Sequence, residues 1–560
     1  MIERELQTLI GSALDDRGWP APAAGIVVEP PTRVEHGDFT TNVALQIQKA
    51  LGRPPREIAE ELGAALVAGS GGLVARVDVA GPGFLNLFLH RSWLHDVLRA
   101  TIAAGPAFGH GDELAGRRIN LEFVSANPTG PLHAGGGRWV AVGDAIANLL
   151  ASRGAEVHRE YYLNDAGRQL ELFTASLLAR LHDTPLPEDG YQGQYLIDLA
   201  ARVRDELGPD IDAETAQEWG YRAIVASLDD DLGRIGVHFD TWFSERQLHE
   251  RGDVAAVLTA LTAAGHTYER DGATWLASEA LGDQRDRVLV RSDGTTTYLC
   301  NDIAYHRDKF ARGFDHLIDI WGADHHGQVK SLQCGLAAIG LPEGEPEIIL
   351  GQFVKLVRGG EEVRMSKRAG TIITLGDILD EVDPDVARLT FLLQSIDTTQ
   401  TFDLDLVTAQ SMDNPVYYVQ YAHARIASIA RKAAGSGLER APLEAVDLSL
   451  LDTERELALL RALAEFPATV AAAAELRAPH RVTSWVRDLA GRFHSFYAES
   501  RVISDDPELT HARLWLVAAV GVGLASALAI LGVSAPEVME RLDGDQDSPA
   551  PVGSDPSGGS

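Results

Sequence analysis

The sequence predicts an α/β fold: a parallel sheet interrupted by a helical insertion, preceded by a small α+β unit and followed by a helical bundle. Three observations predict it. An apolar run at 119–124 ends in a loop rich in turn residues, helical spacing follows over 137–150 (Val140, Ile146, Leu149, Leu150), and a strand-like run follows at 156–163. Strand, helix and strand in that order make a parallel βαβ unit. Short strand-like segments then recur at 287–291, 316–320 and 348–357, while 165–281 is mostly helical in spacing. After Asp405 the strands stop, and 417–434, 451–476, 484–500 and 514–531 all carry helical periodicity, which predicts a bundle.

In chain order, the protein begins with a helical period (Ile2, Leu6, Leu9, Ile10, Leu14) and reaches alternating segments at 73–79 and 84–89 around Gly81-Pro82-Gly83. That pattern predicts a separate unit over 1–108. Gly81-x-Gly83 is followed by no helix start, which argues against a phosphate loop. The sheet-bearing domain is expected over 115–405 with its insertion at about 165–281, and the bundle over 406–540. The Gly/Ser/Pro/Asp-rich stretch 541–560 is predicted to be disordered.

Composition narrows the function classes. The 560 residues are 45% apolar and 23% charged, an ordinary mixture for a multi-domain chain. Residues 1–14 lack the charged and apolar regions of a signal peptide. The longest apolar run, 514–533, is broken by glycines and fits a buried helix better than a membrane span. Two cysteines, Cys300 and Cys334, provide neither a disulfide framework nor a four-cysteine zinc site, so a reducing cytoplasm is expected. The net charge of −32 argues against indiscriminate nucleic-acid binding but leaves room for a local basic patch. One candidate is the helix around Arg425 and Arg431-Lys432; a solvated helix face is the plainer reading.

Two segments carry the chemistry. NLEFVSANPTGPLHAGGGR at 120–138 ends an apolar strand and opens a helix. Gly135, Gly136 and Gly137 would let backbone amides approach a phosphate, and His133 would donate to its oxygens. Glu122 and Asn127 flank the strand end, where open α/β sheets bind ligands. No Gly-Lys-Ser/Thr follows, so this is not a Walker loop. EVRMSKRAGTIITL at 362–375 is a basic loop that delivers Lys367. Alone, each segment has a bland alternative: a glycine-rich helix start and an exposed basic turn. Together they suit an enzyme that activates a carboxylate with ATP, which needs a triphosphate surface and a separate cation for charge developing at the α-phosphate. Asp324-His325-His326, with His133, could be a metal cluster. Adjacent strand histidines point to opposite faces, so no protein-bound metal is expected beyond Mg2+ carried by ATP.

The chain resembles a class I aminoacyl-tRNA synthetase, and specifically a bacterial-type arginyl-tRNA synthetase. The resemblance spans nearly all of 1–539. It rests on His36-Gly37-Asp38-Phe39 with Asn42-Val43-Ala44, Ser125-Ala126-Asn127-Pro128 leading to His133, REYYLNDAG at 159–167, FDTWFSE at 239–245, DIAYH at 302–306, GADHHG at 322–327, MSKRAG at 365–370, NPVYYVQYAHARI at 414–426 and GVSAPEVM at 532–539. It implies a Rossmann-type catalytic domain, an N-terminal domain that contacts the tRNA elbow, and a helical anticodon-binding domain. It implies an arginine pocket of Glu122, Ser125, Asn127, His133, Tyr298 and Asp302. Carboxylates suit a guanidinium, which is always charged and favours bidentate partners. It places ATP against His133, Gly135, Gly136, Gly322, Asp324, His325, Met365, Ser366 and Lys367, with His133 and Lys367 catalytic. Tyr417, Gln420, Tyr421, Arg425 and Met539 would contact tRNA. A monomer with ATP, L-arginine and arginine tRNA as partners, and no membrane, is expected.

The sequence departs from the family's pattern in places. Gly136 stands where the first signature carries a second histidine, and one lost preorganised donor costs about 3 kcal/mol of transition-state stabilisation. Arg364 replaces the first lysine of the second signature. Gln194 stands where an acid is expected, and Gly521 and Gly523 weaken a bundle helix. A paralogue with slowed or redirected arginine activation, or a silent tRNA- or arginine-binding regulator, would also fit Gly136.

Overall fold

The structure, a computed structural model, describes residues 2–31, 33–342, 344–363, 373–409 and 412–539. The predicted tail at 541–560 and the residues Met365, Ser366 and Lys367 lie outside the described residues. The chain divides into two compact units. One comprises Met1–Gly109, Ile426–Thr469 and Asp488–Ser526; the other comprises His110–Arg425, Val470–Arg487 and the residues from Ala527 onward.

In the first unit the helix Ile2–Asp15 buries Ile2, Leu6, Ile10 and Leu14, close to the period seen in the sequence. The strands β1 (Phe39–Thr41), β2 (Val74–Ala80) and β3 (Phe84–Leu89) form an antiparallel sheet in the order β1-β3-β2. The His36–Phe39 motif splices this sheet. Asp38 donates its amide to Leu87 O at 2.8 Å and accepts the Leu89 amide at 2.8 Å. Gly37 has φ +96°, and a side-chain carbon there would meet Leu87 O at 2.6 Å, so the turn requires glycine. In the bundle, Gly521 lies inside the unbroken helix Pro507–Leu531. A side-chain carbon at Gly521 would meet Ile426 Cγ2 at 3.2 Å, so the glycine permits a close helix approach.

The second unit holds β4 (Arg118–Glu122), β5 (Glu156–Leu163), β6 (Thr241–Ser244), β7 (Thr267–Arg270), β8 (Ala273–Leu276), β9 (Arg287–Val290), β10 (His316–Gly322), β11 (Glu347–Gly351), β12 (Val354–Arg358), β13 (Glu361–Glu362) and β14 (Gln400–Asp403). The main sheet is parallel throughout, in the order β11-β10-β4-β5-β6. The helix Gly137–Ser152 makes the crossover from β4 to β5 and is buried over most of its length. Helices make up most of the region 165–281, which also contains β6, closing one edge of the main sheet, and the β7-β8 pair. These strands have four residues each, too few to show a period of two. The single strand expected at 348–357 is two strands in different sheets. The chain turns out between them, where the Gln352 amide bonds Ile396 O at 2.9 Å and the buried Arg138 Nη1 holds Gln352 O at 3.3 Å.

The parallel register places Asp319, Glu122 and Glu160 side by side across β10, β4 and β5. Three carboxylates in a row repel one another, and the helix Tyr298–Ala311 and the residue after it supply the compensation. Lys309 Nζ lies 2.7 Å from Glu122 and 2.9 Å from Asp319, with no exposed side-chain surface. His306 Nε2 lies 2.6 Å from Asp319. Arg312 grips Glu160 with both terminal nitrogens at 2.6 and 2.7 Å, and Tyr305 donates to it at 2.7 Å. Burial is the largest single influence and works against charge on Lys309 and His306, but Asp319 and Glu122 together with their hydrogen bonds outweigh it and hold both pKa values above their ordinary ones. Replacing Lys309 by Met should therefore cost about 3–5 kcal/mol in urea unfolding, because two buried carboxylates lose their shared cation; a loss under about 1 kcal/mol would contradict this.

Candidate active site

β4 ends at Glu122, and the chain turns sharply. Val124 and Ser125 have φ of +73° and +41°, a strained conformation for a β-branched residue. Ser125 Oγ donates to Glu122 Oε1 at 2.8 Å and accepts the Tyr162 amide at 3.1 Å, so the strained turn fixes the strand-end carboxylate. Asn127 Nδ2 donates to Gln169 Oε1 at 2.7 Å. A 3-10 turn, Ala134–Gly136, then feeds the helix Gly137–Ser152. His133 caps this turn: its Nδ1 accepts the Gly135 amide at 2.9 Å, which leaves Nε2 to carry the proton of the neutral ring.

The glycines here do not serve the purpose expected of them. The Gly136 amide bonds His133 O at 2.7 Å, the Ala134 amide bonds Ile373 O at 3.0 Å, and the Gly137 amide bonds Ala134 O. With Gly135 held by His133, the amides of Ala134, Gly135, Gly136 and Gly137 are all engaged. Packing explains the glycines instead. A side-chain carbon at Gly137 would meet Phe391 Cε2 at 2.9 Å, and one at Gly136 would meet Leu132 Cδ1 at 2.8 Å. Gly136 itself has φ −67°, an ordinary helical value.

The two signature segments converge through their flanks. Ala134 N bonds Ile373 O at 3.0 Å, Leu375 N bonds Leu132 O at 2.7 Å, and His133 pairs with Thr374 in an antiparallel bridge. Thr374 and Asp377 form a capping box that starts the helix Leu375–Glu381. The chain leaving 364–372 is thereby held against the His133 turn. On the upstream side, the Val363 amide bonds Leu356 O at 2.9 Å.

Beyond the row of paired acids lie two more carboxylates. Asp302 precedes His306 by one helical turn, and its carboxylate accepts no hydrogen bond among the described residues. Burial, followed by Glu122, Glu245 and Asp319, pushes Asp302 up to about 7. Glu245 is buried, accepts from Asn301 Nδ2 at 2.5 Å, and is raised by burial. Burial and then Glu245, Asp302 and Glu122 hold the Tyr162 hydroxyl well above the ordinary value, so the three carboxylates lie near this ring. Lys309, Arg312 and His306 match Glu122, Asp319 and Glu160, whereas no lysine or arginine reaches Asp302 or Glu245 among the described residues. The nearest base to Glu245, His249, stands 3.9 Å away. This cluster thus has an excess of negative charge suited to a cationic ligand. Tyr298, 56% exposed, stands one turn before Asp302 on the same helix.

At the end of β10, Gly322 leads into the 3-10 turn Ala323–His325. A side-chain carbon at Gly322 would meet Trp139 Cη2 at 3.5 Å. Asp324 and His325 are exposed and 3.7 Å apart. Among the described residues the grouping with metal-ligand spacing is instead Glu122, His306 and Asp319, and Lys309 already supplies its cation. A cavity of about 240 Å³ opens over the loop, lined by Asn127, His133, Gly136, Trp139, Tyr191 and Tyr195. Tyr195 reaches over from the insertion and donates to Thr129 O at 2.9 Å.

The predicted tRNA residues fall into two groups. Tyr417 and Tyr421 stack at 5.9 Å, and the Arg425 guanidinium lies over the Tyr421 ring at 4.7 Å, a stripe along the helix Pro415–Gly435. Tyr421 and Gln420 are buried, and Gln420 Nε2 donates to Asp385 at 2.8 Å and Ser534 O at 3.1 Å, so its amide is committed internally. Met539 is half-buried.

Sequence reasoning missed Lys309, Glu245 and Trp139 as members of the site. Glu245 ends the FDTWFSE motif and Lys309 follows DIAYH by three residues on the same helix face, a spacing that could have flagged it. Trp139 follows Gly136 by the same interval.

Known proteins match along the chain. Residues 4–89 match the family described as arginyl tRNA synthetase N terminal domain, 110–205 and 221–400 the family tRNA synthetases class I (R), catalytic domain, and 419–539 the DALR anticodon binding domain. The arginine–tRNA ligase of Frankia alni is 48% identical over 525 residues, covering 92% of this chain and 95% of that relative. That of Syntrophotalea carbinolica is 47% identical over 526 residues, with 92% and 95% covered. The fold is that of the Thermus thermophilus arginyl-tRNA synthetase structure, with TM-score 0.75, 23% identity, and 96% and 100% of the two chains covered.

Asp302 makes stability depend on pH in a definite direction. Its folded-state pKa of about 7 lies above the ordinary 3.8, so its contribution is fully present below about 4 and is lost as pH rises through about 7. Thermal unfolding without substrate should show the melting temperature falling over that window, and Asp302→Asn should flatten the fall. An unchanged profile in the variant would place the titrating group elsewhere.

Proposed function

The chain belongs to the arginyl-tRNA synthetase family, and from that footing we propose how its residues divide the work. It is an aminoacyl-tRNA ligase that activates L-arginine with ATP and transfers it to arginine tRNA. Relatives matched over 92% of the chain are arginine–tRNA ligases, and nothing favours a redirected or silent paralogue.

In our reading the guanidinium enters the unmatched carboxylates. Asp302 and Glu245 flank it, Glu122 lies beneath under the control of Lys309 and Ser125, and Tyr298 closes the mouth. A planar fork that stays charged suits two carboxylates better than an ammonium does. Asn127 and Ser125 orient the amino-acid end. The triphosphate, with its Mg2+, lies against His133 and near Gly322, Asp324 and His325, and Lys367 meets the charge developing at the α-phosphate. The carboxylate of arginine attacks that phosphorus, pyrophosphate leaves, and the terminal ribose hydroxyl of tRNA then attacks the acyl carbonyl. Catalysis is positioning and electrostatics without a covalent enzyme intermediate. The observation that carries this reading is the pairing of Ile373–Leu375 with Leu132–Ala134, which supports the delivery of both signatures to one place.

We assign 1–108 to tRNA-elbow contact, 115–405 to catalysis and 406–540 to anticodon binding. The last uses the Tyr417 and Arg425 stripe, while Gln420 and the buried Tyr421 support it. A monomer working in the cytoplasm with ATP–Mg2+ as substrate completes the proposal.

Arginine-dependent ATP–pyrophosphate exchange, with cognate tRNA present, should exceed exchange with lysine, ornithine or citrulline by at least about a hundredfold, the range of a site that pairs a specific polar group. Equal rates with lysine would sink the pocket assignment. Lys367→Ala should lower kcat far more than it raises the KM for ATP, since its charge is needed only as the transition state forms. A near-native kcat would remove Lys367 from the chemistry.

A further inference from the structure

The turn at His133 has a donor deficit. The amides of Ala134, Gly135, Gly136 and Gly137 are engaged within the protein. Gly136 supplies no side chain. A negatively charged ligand at this turn must therefore be met by side chains that line the cavity.

Trp139 stands where a side-chain donor would come from. It follows Gly136 by one helical turn in the helix Gly137–Ser152. A helical side chain leans back over the turn before it, so a residue at 139 covers the surface that a side chain at 136 would occupy. Trp139, Gly136 and His133 line the same cavity. The ring's benzo edge is fixed: Cη2 lies 3.5 Å from where a side-chain carbon at Gly322 would be, and Cζ3 3.4 Å from the corresponding point at Gly351. Both strand ends are glycine where the indole rests on them. Nε1 is on the other ring, meets no acceptor among the described residues, and is not fully buried.

We propose that Trp139 is a catalytic residue of adenylate formation, whose indole N–H reaches the phosphates of ATP from the face left open by Gly136. Gly136 and Trp139 are then a compensating pair. The small residue makes room, and the large one four bonds of side chain away brings back an N–H donor. This rests on the reading above that ATP lies against His133. It also predicts that histidine at 136 does not improve the native enzyme, because the indole already supplies the donor an imidazole would bring and a side-chain carbon at 136 must displace Leu132 Cδ1, 2.8 Å away.

The experiment is a set of single and double variants in arginine-dependent, tRNA-supported pyrophosphate exchange, with melting temperatures measured alongside. Trp139→Phe keeps a ring and removes the N–H. It should lower kcat about tenfold or more while the KM for ATP changes less than about threefold, the signature of a donor used in the transition state. Trp139→His keeps an N–H and should recover much of that loss. Gly136→His alone should give no gain, but combined with Trp139→Ala it should exceed Trp139→Ala at least about tenfold. Native kcat in a folded Trp139→Phe protein, or a double variant no better than Trp139→Ala, would overturn the proposal. Native exchange that is robust while Trp139→Phe is silent in effect would overturn this inference alone. Absence of arginine-dependent exchange in the native protein would overturn the ATP reading, and this inference with it.

Discussion

A buried lysine holds the centre of this protein. Parallel register forces Asp319, Glu122 and Glu160 into one line across three neighbouring strands. In a low-dielectric interior that line is untenable without cations. Lys309 bridges the first two acids and Arg312 clamps the third, with His306 and Tyr305 filling the remaining acceptors. All of these come from one helix or the residue just beyond it, so the charge network fixes that helix on the sheet. It fixes its rotation too, and Asp302 and Tyr298 are carried to the pocket by the same face.

The local chemistry follows from which acids remain unmatched. Glu122 is screened by Lys309, while Asp302 and Glu245 keep their excess, and it is to this excess that the proposed function assigns the guanidinium. The ATP side obeys a different constraint. The His133 turn is closed by its own hydrogen bonds and by the strand-like pairing with Ile373–Leu375. Its glycines are there for packing against Leu132, Phe391 and Leu375. The proposed phosphate recognition therefore rests on side chains, His133, Lys367 and Trp139, rather than on these amides.

Much of this was legible in the sequence. The βαβ unit at 119–163 and the bundle helices follow long periodic segments and differ from the structure mainly at their ends. β6, β7 and β8 were not legible, because four residues cannot display a period. At the site, Glu122, Ser125, Asn127, His133 and Asp302 were nameable from motifs, but their partners were not. Nothing local says that Lys309 neutralises Glu122, since the two are 187 positions apart and meet only through strand order. Nor does a glycine triplet reveal whether its amides are free. Spacing likewise does not show that a polar residue such as Gln420 has its amide nitrogen tied to Asp385 and Ser534.

The central claim is that Asp302 is an unmatched carboxylate awaiting the substrate's guanidinium. Calorimetric titration of arginine into the protein with cognate tRNA, in buffers of differing ionisation enthalpy, tests it directly. With the free carboxyl at about 7, a cation entering beside it lowers its pKa, so binding at slightly acidic pH should release close to one proton. The affinity should then tighten as pH rises through neutrality. Binding that releases no proton and keeps one affinity across that range would contradict the account.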